Sequence, residues 1–177
     1  FFTEFLEGYL VEDENGCYRL RAGIVQQAGL KAADEEILRK VAEYLRTLPD
    51  EDPVKQASAT FLFLYLNWME DIKRLILKNP QHPMIKEDII KTIVSQRSLI
   101  AKLLKDDEML KWFLEFIIPA LGDRLSMVNT AEILEERHTP KDVELRIRWK
   151  QNLADLYERC MEGRKAFAVR KDLLSLY

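Results

Sequence analysis

Acid–base or metal chemistry in this chain has few residues to draw on: two histidines, His82 and His138, and two cysteines, Cys17 and Cys160. Glu135 and His138 form a Glu-x-x-His pair, the spacing that puts two ligands on one helix face in di-iron bundles. Such a centre needs a second copy. His82 sits in Asn79-Pro80-Gln81-His82-Pro83, a proline-bounded loop in which no helical pair forms. The cysteines lack the paired spacing of a zinc site and read as small apolar fillers. Asp106-Asp107-Glu108 has the acidity of a magnesium cluster, but helix capping alone explains acids just before an apolar-periodic stretch. Gly29-Leu30-Lys31-Ala32 lacks the hydroxyl and the preceding strand of a phosphate loop, and no Gly-x-Ser-x-Gly elbow occurs. The expectation is a protein that is not an enzyme and that holds no cofactor and no metal.

The elements that would position a site are mostly helices. Pro53 to Lys78 carries no formal charge between Lys55 and Glu70, and a helix apolar all round is normally buried on every side. It is read as the central helix, 53–78. It is too short to span a membrane, since the charge-free run covers about 21 Å against a hydrocarbon core of roughly 30 Å. Asp34-Glu35-Glu36 open an earlier helix, with Ile37, Val41, Tyr44, Leu45 and Leu48 at helical spacing and Pro49 at its end. Pro53, Pro83 and Pro140 mark three helix starts, because proline at the first helical position gives up an N–H that has no partner there. Thr139-Pro140-Lys141-Asp142 adds a capping box.

An amphipathic helix is expected over 84–105, with Ile85, Ile89, Ile93 and Ile100 on one side. Asp106-Asp107 caps the next, which Pro119 kinks or breaks, and residues 120–137 form one or two short helices. The last helix, 140 to about 174, would be near 50 Å long if continuous, with Leu145, Trp149, Leu153, Leu156, Cys160, Gly163 and Phe167 as its stripe. The fold class is therefore mainly α: a bundle of about six helices around the buried central helix, with a small N-terminal β-hairpin.

Residues 1–9 read as the end of a helix, and short Val, Tyr and Leu-rich segments flank Asn15-Gly16, a strong signal for a two-residue hairpin turn. Strands are expected near 9–12 and 17–20. The order helix end, Leu10-Val11, acidic turn with Gly16, Tyr18-Arg19-Leu20 is similar to the recognition helix and wing of winged-helix domains, over about the first 22 residues. That resemblance implies a nucleic-acid-binding wing. Glu12, Asp13 and Glu14 depart from it, since they crowd the place where phosphates approach. The expected division is residues 1–31, a helix end and hairpin, and 32–177, the helical bundle.

The net charge of −3 gives no global field that would recruit nucleic acid or an anionic membrane. From Pro140 onward, nine Lys or Arg face six Asp or Glu, a local surplus of three. Arg146, Arg148, Lys150, Arg164 and Lys165, together with Trp149, are the candidate partner-binding residues: cations around an aromatic anchor suit an acidic segment of another protein. The alternative is a nucleic-acid-associated regulator using the hairpin and the basic last helix. Widely separated cysteines and no Asn-x-Ser/Thr sequon favour an intracellular setting. The Phe-Phe-Thr start reads as a piece excised from a longer chain. Function is thus expected to be that of a helical interaction or regulatory domain.

Overall fold

A computed structural model describes residues 10–12, 18–20 and 35–176. They are mainly helical and divide into two compact units between Asn79 and Pro80. Six N-terminal residues are described as paired three-residue strands, β1 (Leu10–Glu12) and β2 (Tyr18–Leu20), antiparallel with Val11 opposite Arg19. The Asn15-Gly16 turn, the helix end expected over 1–9 and the boundary expected near residue 31 lie outside the described residues.

In the first unit α1 (Glu35–Thr47) has Glu35 and Glu36 in its first turn, where the positive end of the helix dipole favours carboxylates. Its inner stripe, Leu38, Ala42 and Leu45, is buried. Arg46 then stands in the last turn, the end that favours a cation.

The expected single helix over 53–78 is two helices, α2 (Pro53–Tyr65) and α3 (Met69–Lys78). The break is a Schellman turn at Asn67, whose φ is 59°. The Trp68 N–H donates to Phe63 O at 2.8 Å and the Asn67 N–H to Leu64 O at 3.0 Å, so the last carbonyls of α2 keep partners. The Trp68 ring stacks on Phe63 at 5.7 Å, the apolar contact that accompanies this motif. Asparagine tolerates the left-handed region better than most residues, which is why the chain turns there. α2 is not buried on every side either. Ala59, Leu62, Phe63 and Leu64 face inward, whereas Ser58 is exposed and the half-buried rings of Phe61 and Tyr65 stack on each other at 6.4 Å.

In the second unit, α4 (Pro83–Ser95) begins on its proline as expected, but the helix expected over 84–105 is interrupted at Gln96 and resumes as α5 (Arg97–Leu103). Near the interruption the Thr92 and Ser95 hydroxyls donate to the carbonyls four residues back, Asp88 O and Lys91 O, a side-chain competition that loosens a helix end. α6 (Asp107–Trp112) is capped by Asp106, whose carboxylate accepts from the N–H groups of Glu108 and Met109. It widens into a π turn over Phe113–Ile117 and ends in a 3-10 turn over Ile118–Ala120. Pro119 lacks an N–H for the carbonyl four residues back, and the Ile118 N–H donates to Phe113 O across the wider ring.

α7 (Arg124–Glu136) is capped by Asp123, which accepts from Ser126 N–H. The helix expected from Pro140 starts instead at Val143, with Asp142 as its cap accepting from Leu145 N–H at 2.7 Å. The Pro140 carbonyl faces the Arg146 guanidinium.

The 50 Å terminal rod does not form. The segment is α8 (Val143–Arg159) and α9 (Gly163–Leu174), folded back at Met161. The Met161 N–H donates to Glu158 O and the Glu162 N–H to Tyr157 O, a second Schellman turn. Here the left-handed residue, with φ 63°, is methionine rather than glycine or asparagine. For a residue with a Cβ that conformation costs roughly 1–2 kcal/mol, which glycine escapes. Met161 is 87% exposed, so its side chain supports no packing. Met161→Gly is accordingly expected to raise stability by about 1 kcal/mol in urea denaturation, and a lower midpoint would refute the strain assigned to this turn.

Candidate protein-binding surface

The α8–α9 pair places all six candidate residues, and it does not treat them alike. Trp149 lies inside, 6% exposed, with its indole N–H donating to Leu134 O at 3.1 Å on α7. A buried, hydrogen-bonded ring belongs to the core. Arg146 is spent on the carbonyls of Pro140 and Lys141 before its own helix. Lys150 pairs with Asp172 on α9 at 3.0 Å, and its ammonium also lies 5.8 Å from the Trp149 ring. Lys165 pairs with Glu162 at 2.9 Å and stands 5.1 Å from the Tyr157 ring. Arg170, on the same inner side, bridges Asp155 and Glu158 of α8. Folding the helix back thus turns one set of cations toward the acids of its neighbour.

What remains outward is a different set. Arg164, Phe167, Ala168, Lys171 and Leu174 follow one another at steps of one, three or four, which is one face of α9, and all five are exposed. Phe167 is 71% and Leu174 74% exposed, among the most exposed large apolar side chains described. The inner side of α9 buries only Ala166 fully. The candidate surface is therefore Arg164, Phe167, Lys171 and Leu174, of which the sequence pointed to Arg164. In a continuous helix Phe167 falls on the same stripe as Leu145, Trp149 and Leu153. Lys171 and Leu174 stand four and seven residues further on, a signal that becomes legible once the turn at Met161 is known.

Two other places are chemically organised. In the first unit Asp50 accepts from Lys55 Nζ at 2.7 Å and Lys78 Nζ at 2.9 Å, and Lys55 Nζ also donates to Leu48 O at 2.8 Å. The Lys55 and Lys78 ammonium groups hold the Asp50 carboxyl down at about 2. Nearby, an open cleft of about 290 Å³ is lined by Arg46, Trp68, Glu70 and Asp71. Arg46 lies 5.5 Å from the Trp68 ring and donates to Asp71 at 2.9 Å, while Arg74 meets the same carboxylate at 3.1 Å. These cations are matched within the protein, and the cluster ties α1, α3 and the loop between α1 and α2 together.

The two histidines stand on different elements. His82 is the half-buried cap residue of α4, where burial pushes its imidazole pKa down, and His138 is exposed beyond α7. Cys160 is free and buried, and burial together with Glu162 pushes its thiol pKa up, away from a reactive thiolate. Among the described residues no group of three His, Cys, Asp or Glu is placed to hold a metal ion, and no helix is long and apolar enough to cross a membrane. No protein-family model matches the chain, and no curated protein or solved structure shows significant similarity to it.

Proposed function

We propose that the chain is a non-catalytic helical interaction module that binds an acidic segment of another protein through the outer face of α9. The observation that carries this reading is the pairing of Phe167 and Leu174, both more than two-thirds exposed, with Arg164 and Lys171 on the same face. Exposed aromatic and aliphatic side chains one or two turns apart are the usual anchors of helix-mediated recognition. The two cations add long-range attraction for carboxylates and select the sign of the partner. Among the described residues neither pairs with a carboxylate of α8, unlike Lys150 and Arg170, so their charge is directed outward. Arg148, half-buried on α8, lies on the neighbouring helix and contributes to the same positive field. An intracellular setting suits this reading.

The test is a pull-down from native lysate with wild type, Arg164→Glu/Lys171→Glu and Phe167→Ser, all of matched melting temperature. Wild type is expected to capture at least one species lost with both variants and released by salt. An identical captured set from all three would refute the reading. Salt-dependent binding of duplex DNA that Arg164→Glu/Lys171→Glu abolishes would replace it with the nucleic-acid alternative.

A further inference from the structure

α9 lies close along α8, with small and half-buried side chains between them. Ala166 is its one fully buried residue; Val169 and Leu173 are half-buried. The remaining links are the ion pairs Lys150 to Asp172, Arg170 to Asp155 and Arg170 to Glu158, each with at least one exposed partner and each individually weak in water. The turn that folds α9 back uses a methionine at φ 63°, and no side chain caps the first amides of α9. Both defects disappear if Cys160, Met161 and Glu162 become helical. Met161 then leaves the left-handed region, and the amides at the start of α9 find carbonyls four residues back.

The local sequence opposes that change only at Gly163, a poor helix former. Leu153, Leu156, Cys160, Gly163 and Phe167 step by three or four through the turn, and residues 141–177 contain no proline. Straightening has one consequence: α9 leaves its place on α8, and the half-buried residues and ion pairs of both helices lose their partners. An identical surface restores all of them. That surface belongs to a second copy of this chain.

We propose that two copies exchange α9, each straightened α8–α9 helix laying its arm on the α8 of the other copy. The exchanged dimer re-forms Lys150 to Asp172 and Arg170 to Asp155 and Glu158 between chains and relieves Met161 in both. Two antiparallel straight helices crossing at the former turn also bring the two Met161 side chains together on the two-fold axis. The closed monomer is favoured at low concentration because it loses no translational freedom, so the exchange is concentration-dependent. This inference does not depend on the binding role of the outer face, whose residues keep their exposure in either form.

The test uses the full chain. Light scattering after size exclusion over a concentration series is expected to show wild type passing from monomer to dimer. Met161→Gly, which keeps every side-chain contact of the arm and removes the strain of the closed form, should weaken the dimer by roughly tenfold or more. Met161→Ala/Glu162→Ala, which favours the straight helix, should shift the balance toward dimer. Charge reversal then identifies the arm as the exchanged element. Arg170→Glu in one chain and Asp155→Arg/Glu158→Arg in another each place like charges together in their own closed forms, and mixing them should give a one-to-one heterodimer. Wild type that stays monomeric at every concentration overturns the proposal, as does a dimer whose affinity is the same with Met161→Gly. Failure of two folded charge-reversed chains to associate overturns it too; if either does not fold, the Met161→Gly comparison decides.

Discussion

Replacing Asp50 with alanine is expected to destabilise the protein by about 3–5 kcal/mol, because it leaves a charged lysine buried without its counter-ion. Lys55 is 1% exposed, and its ammonium has two oxygen partners, Asp50 Oδ1 and Leu48 O. Once the carboxylate is gone, one neutral carbonyl must hold a full positive charge away from water. Asp50 also organises the backbone: the Gln56 and Asn79 side-chain amides donate to its own carbonyl oxygen at 3.1 and 3.3 Å. Lys55→Met should be far milder, roughly 1 kcal/mol or less, since Asp50 keeps Lys78 and the methionine refills the space of the lysine stem. Urea denaturation of the two variants side by side is the measurement. Equal losses would show that the buried ammonium is not the expensive group.

The same carboxylate sets an acid limit. Its pKa is lowered from 3.8 to about 2, chiefly by the hydrogen bonds from Lys55 and Lys78, so the folded state binds this proton less readily than the unfolded chain does. Stability from the group is fully present above about pH 4 and is lost as pH falls through about 2. A shift of that size corresponds to about 2 kcal/mol. The difference in stability between wild type and Asp50→Ala should therefore shrink between pH 4 and pH 2, and a constant difference across that range would contradict the linkage.

Phe63→Ala is the second large effect expected, at about 3–5 kcal/mol. Phe63 is fully buried, and its ring carries Trp68 across the Schellman turn while its carbonyl accepts the Trp68 N–H. Truncation opens a cavity and releases the contact that holds the α2–α3 corner. Leu64→Ala, at another fully buried site, should lose about 2–5 kcal/mol. Leu66→Ala should lose less, because Leu66 is half-buried in the turn itself. Thermal melts in which Leu66→Ala matched Phe63→Ala would mean that the corner, rather than the interior face of α2, carries the stability.

These contrasts also mark what the sequence allowed one to read. Helix starts were legible where a local residue makes them: Glu35 and Glu36 at the positive end of α1, Pro53 and Pro83 at the first positions of α2 and α4, Asp106 accepting from two amides before α6. Stops made by a proline, at Pro49 and Pro119, were legible too, but breaks inside the longer apolar stretches were not. The breaks at Asn67, Gln96 and Met161 involve neither glycine nor proline, and apolar periodicity runs through each of them. Such turns are chosen by packing between segments distant in sequence, as Phe63 against Trp68 illustrates, and a window of a dozen residues does not contain that information. The candidate surface inherited the same blindness. A surplus of cations near the C-terminus was plain, but which of them are neutralised depends on Asp155, Glu158 and Asp172 meeting Lys150 and Arg170 across a turn that was not foreseen.

The division between Asn79 and Pro80 distributes the three tryptophans unevenly, and that gives the protein built-in optical reporters. Trp68, half-exposed under the Arg46 guanidinium, is the fluorophore of the first unit. Trp112 and Trp149, both buried with their indole N–H groups held by Pro80 O and Leu134 O, are those of the second. Emission from the first is expected to be red-shifted by water already in the folded state, whereas emission from the other two is expected to move to the red only when their unit opens. A Trp68→Phe chain is consequently a spectroscopic window on the second unit alone, and comparing its unfolding curve with helix content tells whether the two halves melt as one body or in sequence.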